Sequence, residues 1–330
     1  MKFKNIIGVD LGKENIDFTV MHEDNIKIQC EIANNPKQLQ LFLKGLGVDL
    51  NEALFCMEYT GIYSEHLVKV LYKLKANIWM ERADHIKKSI GLTRGKNDRL
   101  DSKRIAEYAR RHQDSARLWE PDRDVIQKMK LLLSQRSRLV KAKKLLEVPI
   151  KESKEFIDKK NHRLVKGSSK ASIAAIKKDL DAINEQIQEL INSDEKLKKL
   201  NEYVISVPNI GPVISASVIV ATKEFEKISD PRKFACHCGV APFEHQSGKS
   251  IRGKTRVSHL ADKALKTLFH LAAICAISHK GEFKDYYDRK VKEGKNKMLV
   301  INAVRNKLIH RVFACVNNQR KYKKNVLDLA

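Results

Sequence analysis

The stretch Phe3-Lys4-Asn5-Ile6-Ile7-Gly8-Val9-Asp10-Leu11-Gly12-Lys13 decides how the first third of the chain folds. Ile6, Ile7 and Val9 form a short apolar run suited to a buried strand, and Gly12 and Lys13 interrupt it. Residues 16–21 then resume strand-like composition, so the two runs read as a hairpin. Residues 26–32 alternate like a third strand. Further on, residues 36–45 carry Leu39, Phe42 and Leu43 at helical spacing, and 53–57 are a buried strand. Residues 64–74 place Leu67, Val70, Leu71 and Leu74 on one helical face, and 78–80 form a short strand. Three strands, then helix, strand, helix, strand predict a mixed α/β sheet with helices packed against it over residues 1–120.

The 330 residues suffice for two to three units, and 64 Lys+Arg against 40 Asp+Glu leave a net charge of +24. That excess points to a polyanionic partner. Hydrophobic content of 42% argues against wholesale disorder, and aromatics at 6% argue against a protein that reads single strands mainly by stacking. No apolar run approaches the roughly 18 residues of a membrane span, and Asp10 and Gly12 break any signal-peptide core. Six scattered cysteines suit a reducing compartment. Cys236-His237-Cys238 has a metal-like look, but no second cysteine pair follows at finger spacing, so zinc is not expected.

From Asp122 the pattern changes. Val125, Leu132, Leu139 and Leu146 recur every seven residues, and Ile173, Ile176, Leu180, Ile183, Ile187 and Leu190 alternate steps of three and four. Residues 121–196 are therefore expected to form a coiled-coil helical hairpin, its helices joined by the polar, Lys-rich stretch 151–170; ordinary bundle packing is the alternative. Residues 197–330 read as mainly helical, with two loop-rich interruptions. One is Val207-Pro208-Asn209-Ile210-Gly211-Pro212, the other residues 239–254. Basic residues crowd the last forty positions.

Four acids stand where chemistry is expected. Asp10 and Glu58 each follow a strand, and Asp98 and Asp101 lie three apart where a helical pattern begins, which puts both on one helical face. Converging carboxylates need a cation between them, and Mg2+, which prefers oxygen ligands, is the natural candidate. Each acid alone also reads as a turn or cap residue. Gly8-Val9-Asp10-Leu11-Gly12 resembles the first phosphate loop of actin-like ATPases, but the second loop and the adenosine site of that fold are missing. Further on, Ser247 stands before Gly248 among Lys249, Arg252, Lys254 and Arg256, a setting in which a serine can attack a phosphodiester or simply form a turn touching phosphate.

Val9-Asp10, Glu58-Tyr59-Thr60-Gly61-Ile62-Tyr63, Asn97-Asp98-Arg99-Leu100-Asp101-Ser102 and Gln246-Ser247-Gly248-Lys249-Ser250-Ile251-Arg252-Gly253 resemble, in this order, the Asp-Glu-Asp-Asp tetrad and the Ser-Gly motif of the insertion sequence 110 family of transposases and Piv-related recombinases. The resemblance runs from Ile6 to about Val312. It implies a RuvC-like (RNase H-like) N-terminal domain at 1–120, the coiled-coil insertion, and a C-terminal transposase domain at 197–330. It implies Asp10, Glu58, Asp98 and Asp101 as catalytic Mg2+ ligands and Ser247 as the nucleophile that links covalently to DNA. Implied partners are donor and target DNA, a structured guide RNA and further copies of the chain as a dimer or tetramer. The implied setting is the cytoplasm of a bacterial or archaeal cell, at the nucleoid during action. The Asn209 to Gly211 segment resembles a helix-hairpin-helix turn, which implies that Asn209 and Gly211 touch nucleic acid beside Lys249, Arg252, Lys254 and Arg256. The chain departs from the usual glycine at Asn209, which tolerates left-handed backbone, and carries Val257-Ser258-His259 where family members often have a glycine. Two other readings stay open: a RuvC-like nuclease or junction resolvase working through metal-activated water, and a non-enzymatic nucleic-acid-binding protein.

Overall fold

A computed structural model describes residues 3–90, 98–247 and 251–323. The chain divides into two compact units, Met1–Pro121 and Asp122–Ala330.

In the first unit β1 (Asn5–Leu11), β2 (Asn15–His22) and β3 (Asn25–Ala33) form an antiparallel meander. α1 (Pro36–Gly45) then carries the chain to β4 (Ala53–Glu58), which lies parallel to β1. α2 (Glu65–Lys73) leads on to β5 (Asn77–Glu81), parallel to β4. The sheet order is β3-β2-β1-β4-β5, and the two parallel pairings are possible because each has a helical crossover. α1 starts where Asn35 accepts the Lys37 N–H at 2.9 Å and Pro36 supplies a first-turn residue with no N–H to satisfy. α3 (Ala83–Ile90) and α4 (Asp98–His112) complete the unit.

Alternation along the strands divides the core into two layers. Ile7, Val9, Phe55 and Met57 pack under α1 and α2 through Leu39, Leu43, Leu67 and Leu71. Ile6, Leu54, Cys56 and Trp79 turn the other way, beneath Ile86 of α3 and Ile105, Ala106 and Ala109 of α4. Gly8 sets how closely α4 approaches. A Cβ there would stand 2.2 Å from the Ser102 carbonyl oxygen and 2.3 Å from the Ala106 nitrogen, so only glycine lets the helix backbone lie on β1.

The mixed sheet and the two crossover helices follow the sequence reading. α3 is an addition, because Ile86 is its one fully buried apolar side chain among the described residues and so leaves little period to see. α4 also begins two turns ahead of its apolar pattern.

In the second unit α5 (Asp124–Phe156) and α6 (Lys159–Asn192) lie against each other, joined by Ile157 and Asp158 alone. The Lys-rich stretch expected as a linker is thus helical apart from those two residues. Lys, Glu and Ala are good helix formers, and Asp158 caps α6 by accepting the Lys160 and Asn161 N–H groups. Leu180, Ile183, Ile187 and Ile191 of α6 are buried, whereas Leu145, Phe156 and Leu164, nearer the turn, are exposed.

α7 (Glu195–Ile205), α8 (Pro212–Thr222) and α9 (Pro231–His237) come next, followed by a ribbon of β6 (Phe243–Ser247) and β7 (Ile251–Arg256). The segment expected as loop at 239–254 therefore contains most of an antiparallel pair. α10 (Lys263–Ser278), α11 (Glu282–Lys292) and α12 (Lys297–Asn317) end the unit. Phe234, Phe269, Phe313, Val304 and Leu308 are central to its core.

After α8, Lys223, Glu224 and Phe225 all take left-handed backbone, at φ 47°, 57° and 65°. Each such residue costs about 1–2 kcal/mol. Two groups hold the run in place: the Glu224 carboxylate, buried against Arg123 and Lys196, and the Phe225 ring, edge-on to Phe313 at 5.0 Å. Arg123, just ahead of α5, also pairs with Asp194, the cap of α7, so one guanidinium ties together the roots of three helices.

Candidate active site

The parallel pairing of β1 and β4 matches Val9 with Met57, so the next positions in register are Asp10 and Glu58. Val9 and Met57 face α1 and α2, and the pleat therefore turns both carboxylates toward the α4 side. Both are half-buried. The two acids, expected just beyond their strands, instead lie within β1 and at the last position of β4, at neighbouring positions of the sheet.

The same row continues across the sheet. Asp17 of β2 stands opposite Asp10, Glu31 of β3 opposite Asp17, and Glu81 of β5 opposite Glu58. Each of the five strands contributes one acid to this level of the α4 face. Glu31, Asp17 and Glu81 were not picked out from the sequence, because only strand register aligns them. One signal was available: Asp17 is an acid inside the otherwise apolar run Ile16-Asp17-Phe18 and is only 9% exposed.

The outer acids are engaged. Glu31 accepts from the Asn15 amide. Glu81 accepts the Arg82 N–H at 2.7 Å and the Tyr108 hydroxyl at 3.1 Å, and lies 3.0 Å from His85 Nδ1. Burial, and after it the neighbouring Glu81, push the Tyr108 phenol up to about 12. Cys56 sits beneath this row, and burial first, then Glu81 and Glu58, push its thiol well above the usual range. It is therefore a packed side chain rather than a nucleophile.

α4 is fixed over the sheet at its start. The Ser102 and Thr19 hydroxyls meet at 2.8 Å, and the Gln29 amide donates to the Arg99 carbonyl at 2.7 Å. Asp98 is the first residue of this helix, with its side chain outside the described residues. Asp101 is half-buried and accepts from Arg104 Nη1 at 2.8 Å. Among the described residues no group of three or more His, Cys, Asp or Glu is gathered closely enough to hold a metal. The donors that the row offers are carboxylate oxygens, which suit a hard divalent cation. At Cys236-His237-Cys238, Cys238 is fully buried, and burial first, with Asp262 adding to it, pushes its thiol above the usual range.

The serine of the second motif ends β6. The ribbon's register places Ser247 opposite Ile251 and Gln246 opposite Arg252. Lys249 and the side chains of Ser247, Arg252 and Lys254 lie outside the described residues. Arg256 ends β7 and is exposed. Where the chain enters the ribbon, the Asn302 amide donates to the Val240 carbonyl at 2.8 Å, and the buried Arg305 reaches His270 Nδ1 at 2.5 Å. Burial first, and Arg305 with it, lower the His270 pKa and favour the neutral ring that accepts from the guanidinium. Asn209 takes the left-handed backbone expected of it, at φ 68°, and Gly211 precedes α8 without a side-chain cap.

The features on hand are an acid-bearing α/β unit and a mainly helical unit. A family model for IS110-type DEDD transposases matches residues 7–148, and the model of the transposase IS116/IS110/IS902 family matches residues 201–288. The chain is 25% identical over 330 residues to the pilin gene-inverting protein of Moraxella bovis, covering 98% of this chain and 99% of that one. The Moraxella lacunata protein of that name is 24% identical over the same length. Thermus thermophilus RuvC in complex with a Holliday junction substrate aligns with 35% of this chain and 99% of its own at 8% identity, with a TM-score of 0.27. The chain belongs to the IS110 family of transposases, and it is a DNA transposase or recombinase.

Proposed function

We propose that the chain cleaves and rejoins DNA strands at the ends of an insertion element through a covalent link to Ser247. The observation that carries this reading is the placing of Asp10 and Glu58 one step beyond the paired Val9 and Met57 of adjacent parallel strands, on the face covered by the helix that starts at Asp98.

Asp10, Glu58, Asp98 and Asp101 would hold one or two Mg2+ ions, which when bound orient a phosphate and offset the charge that develops during its transfer. Ser247 Oγ attacks a backbone phosphorus, a P–O bond to the adjoining sugar breaks, and the departing sugar oxygen takes up a proton as the serine gives one to a base. The phosphodiester energy stays in the serine ester, so the reverse attack rejoins strands without ATP. Lys249, Arg252, Lys254 and Arg256 neutralise the substrate's phosphates, and the turn at Asn209 and Gly211 offers backbone N–H groups to another.

Three finer assignments belong to the same reading. The first unit is RuvC-like, supported by the β3-β2-β1-β4-β5 order with β2 antiparallel. α5 and α6 form a coiled-coil hairpin, supported by the seven-residue spacing along α5. A structured RNA guides the protein, which acts as a homo-oligomer in the cytoplasm, in keeping with the +24 charge. Among the described residues no helix is long and apolar enough to cross a membrane.

The test is retention of end-labelled DNA on the protein in a denaturing gel with Mg2+ present. The expected result is a retained band for the natural chain and none for Ser247→Ala. Cleavage without any retained band in the natural chain favours metal-activated water and overturns the serine link.

A further inference from the structure

The outer side of α4 carries a second feature that the acid row does not use. Between α3 and α4 runs an open groove of about 320 Å3, lined by Ser89, Leu100, Lys103, Arg104, Glu107 and Arg111 among others. The α4 residues recur at steps of three and four, so they form one stripe of the helix, while Ile105, Ala106 and Ala109 are buried on its inner side. Three cations stand against one acid along that stripe. Lys103 reaches Glu107 only at 3.9 Å, and among the described residues Arg111 makes no ion pair. The Arg104 guanidinium bonds Asp101, so the end of the groove meets the start of the proposed metal site.

We propose that this groove holds backbone phosphates of the DNA strand being cut, on the flank of the phosphodiester that the carboxylates address. The proposal rests on the carboxylate reading above for its direction, but not for the existence of the groove. An open, polar trough suits a chain of phosphates better than an enclosed small molecule. Seven residues of helix separate Arg104 from Arg111, a rise of about 10 Å, which matches about three nucleotides of one strand at roughly 3.4 Å each along a duplex. The ends of the stripe can thus touch phosphates a few steps apart. A phosphate entering the groove competes with Asp101 for the Arg104 guanidinium, and the carboxylate that is released turns to the site. DNA loading and completion of the acid cluster are in this way coupled through one side chain.

The experiment measures binding of the full-length chain to a fluorescein-labelled 30-base-pair duplex by anisotropy across a salt series. The double variant Lys103→Gln/Arg111→Gln is compared with Lys159→Gln/Lys160→Gln on α6 as a charge-matched control. The groove variant is expected to lower the slope of log affinity against log salt by about 2, since each phosphate contact contributes about 0.9, and to weaken binding about tenfold in moderate salt. The control is expected to change the slope by less than half of that. Equal losses in both variants mean diffuse attraction and overturn the proposal, as does a loss seen with an RNA duplex of the same length and not with DNA. Arg111→Gln alone, which removes no ion pair, should retain the natural melting temperature and give about half of the slope change; an unchanged slope in this folded variant counts against the groove. Asp101→Asn separates the two readings. If it cleaves normally while the groove variant loses affinity, the carboxylate reading fails and the groove stands.

Discussion

The sheet of the first unit and the ribbon of the second support their proposed chemistry very differently. Asp10 and Glu58 sit on central strands that have neighbours on both sides and helices over both faces. Ser247 sits on a two-stranded ribbon with a single ladder and a register shift between Phe243 and His245. Metal ligands need placement within about 0.5 Å, which a packed central strand supplies. An isolated pair of strands is marginal by itself and relies on what packs against it, here the Asn302 bond at its entry. The acids are set by the fold, and the serine by a local device mounted on it.

Exchanging the chemical groups tests this contrast with the largest effects. Ser247→Ala should abolish the DNA adduct and Asp10→Asn should lower cleavage by about a thousandfold, with duplex binding and melting temperature retained in both. Undiminished cleavage by Asp10→Asn, measured on labelled DNA, would make the sheet acids structural and end the comparison.

Gly8→Ala probes the support itself. The added methyl meets backbone atoms that cannot rotate away, so the variant should lose about 3 kcal/mol and melt roughly 10 °C lower by circular dichroism. Cleavage should fall with it as α4 lifts from β1. An unchanged melting temperature would show that the α4 backbone does not lie on β1 at Gly8.

Asp194→Ala should cost about 1–2 kcal/mol, since it removes the cap of α7 and one partner of Arg123. The penalty depends on pH. Burial pushes the Asp194 carboxyl up, but the Leu197 N–H and Arg123 outweigh it and hold the pKa below the usual range. A depressed carboxylate stabilises the fold above its unfolded pKa, about 3.9, and loses that contribution as pH falls through the lower folded value. Urea titrations should show the variant and the natural chain converging below about pH 4. A constant gap would locate the effect elsewhere.

The smallest effect is expected at Arg256, exposed at the end of the ribbon. Arg256→Gln should reduce the salt slope of DNA binding by about 1 while cleavage chemistry persists. A drop in cleavage of the bound complex would instead assign Arg256 to the reacting phosphate.

The mixed sheet, the long helices of the second unit and the placing of Asp10 and Glu58 close to strand ends were legible in the residues alone. These are local matters: apolar period, interrupting glycines and caps act over a few residues. The sequence misjudged what weak period conceals. Residues 151–170 are charged and lack an apolar stripe, yet they continue two helices, and residues 83–90 form a helix around the single buried Ile86.

Which acids share a level is set by long-range pairing. Asp17 and Glu81 join Asp10 and Glu58 because hydrogen-bonded strands slide into one register, and no spacing along the chain encodes that alignment. The same holds for Gly8, whose need for a bare backbone appears once α4, almost a hundred residues later, lies on it. It holds too for Arg104, which faces both Asp101 and the groove because α3 packs beside α4. Local pattern fixes an element and its faces, and long-range packing chooses which faces meet.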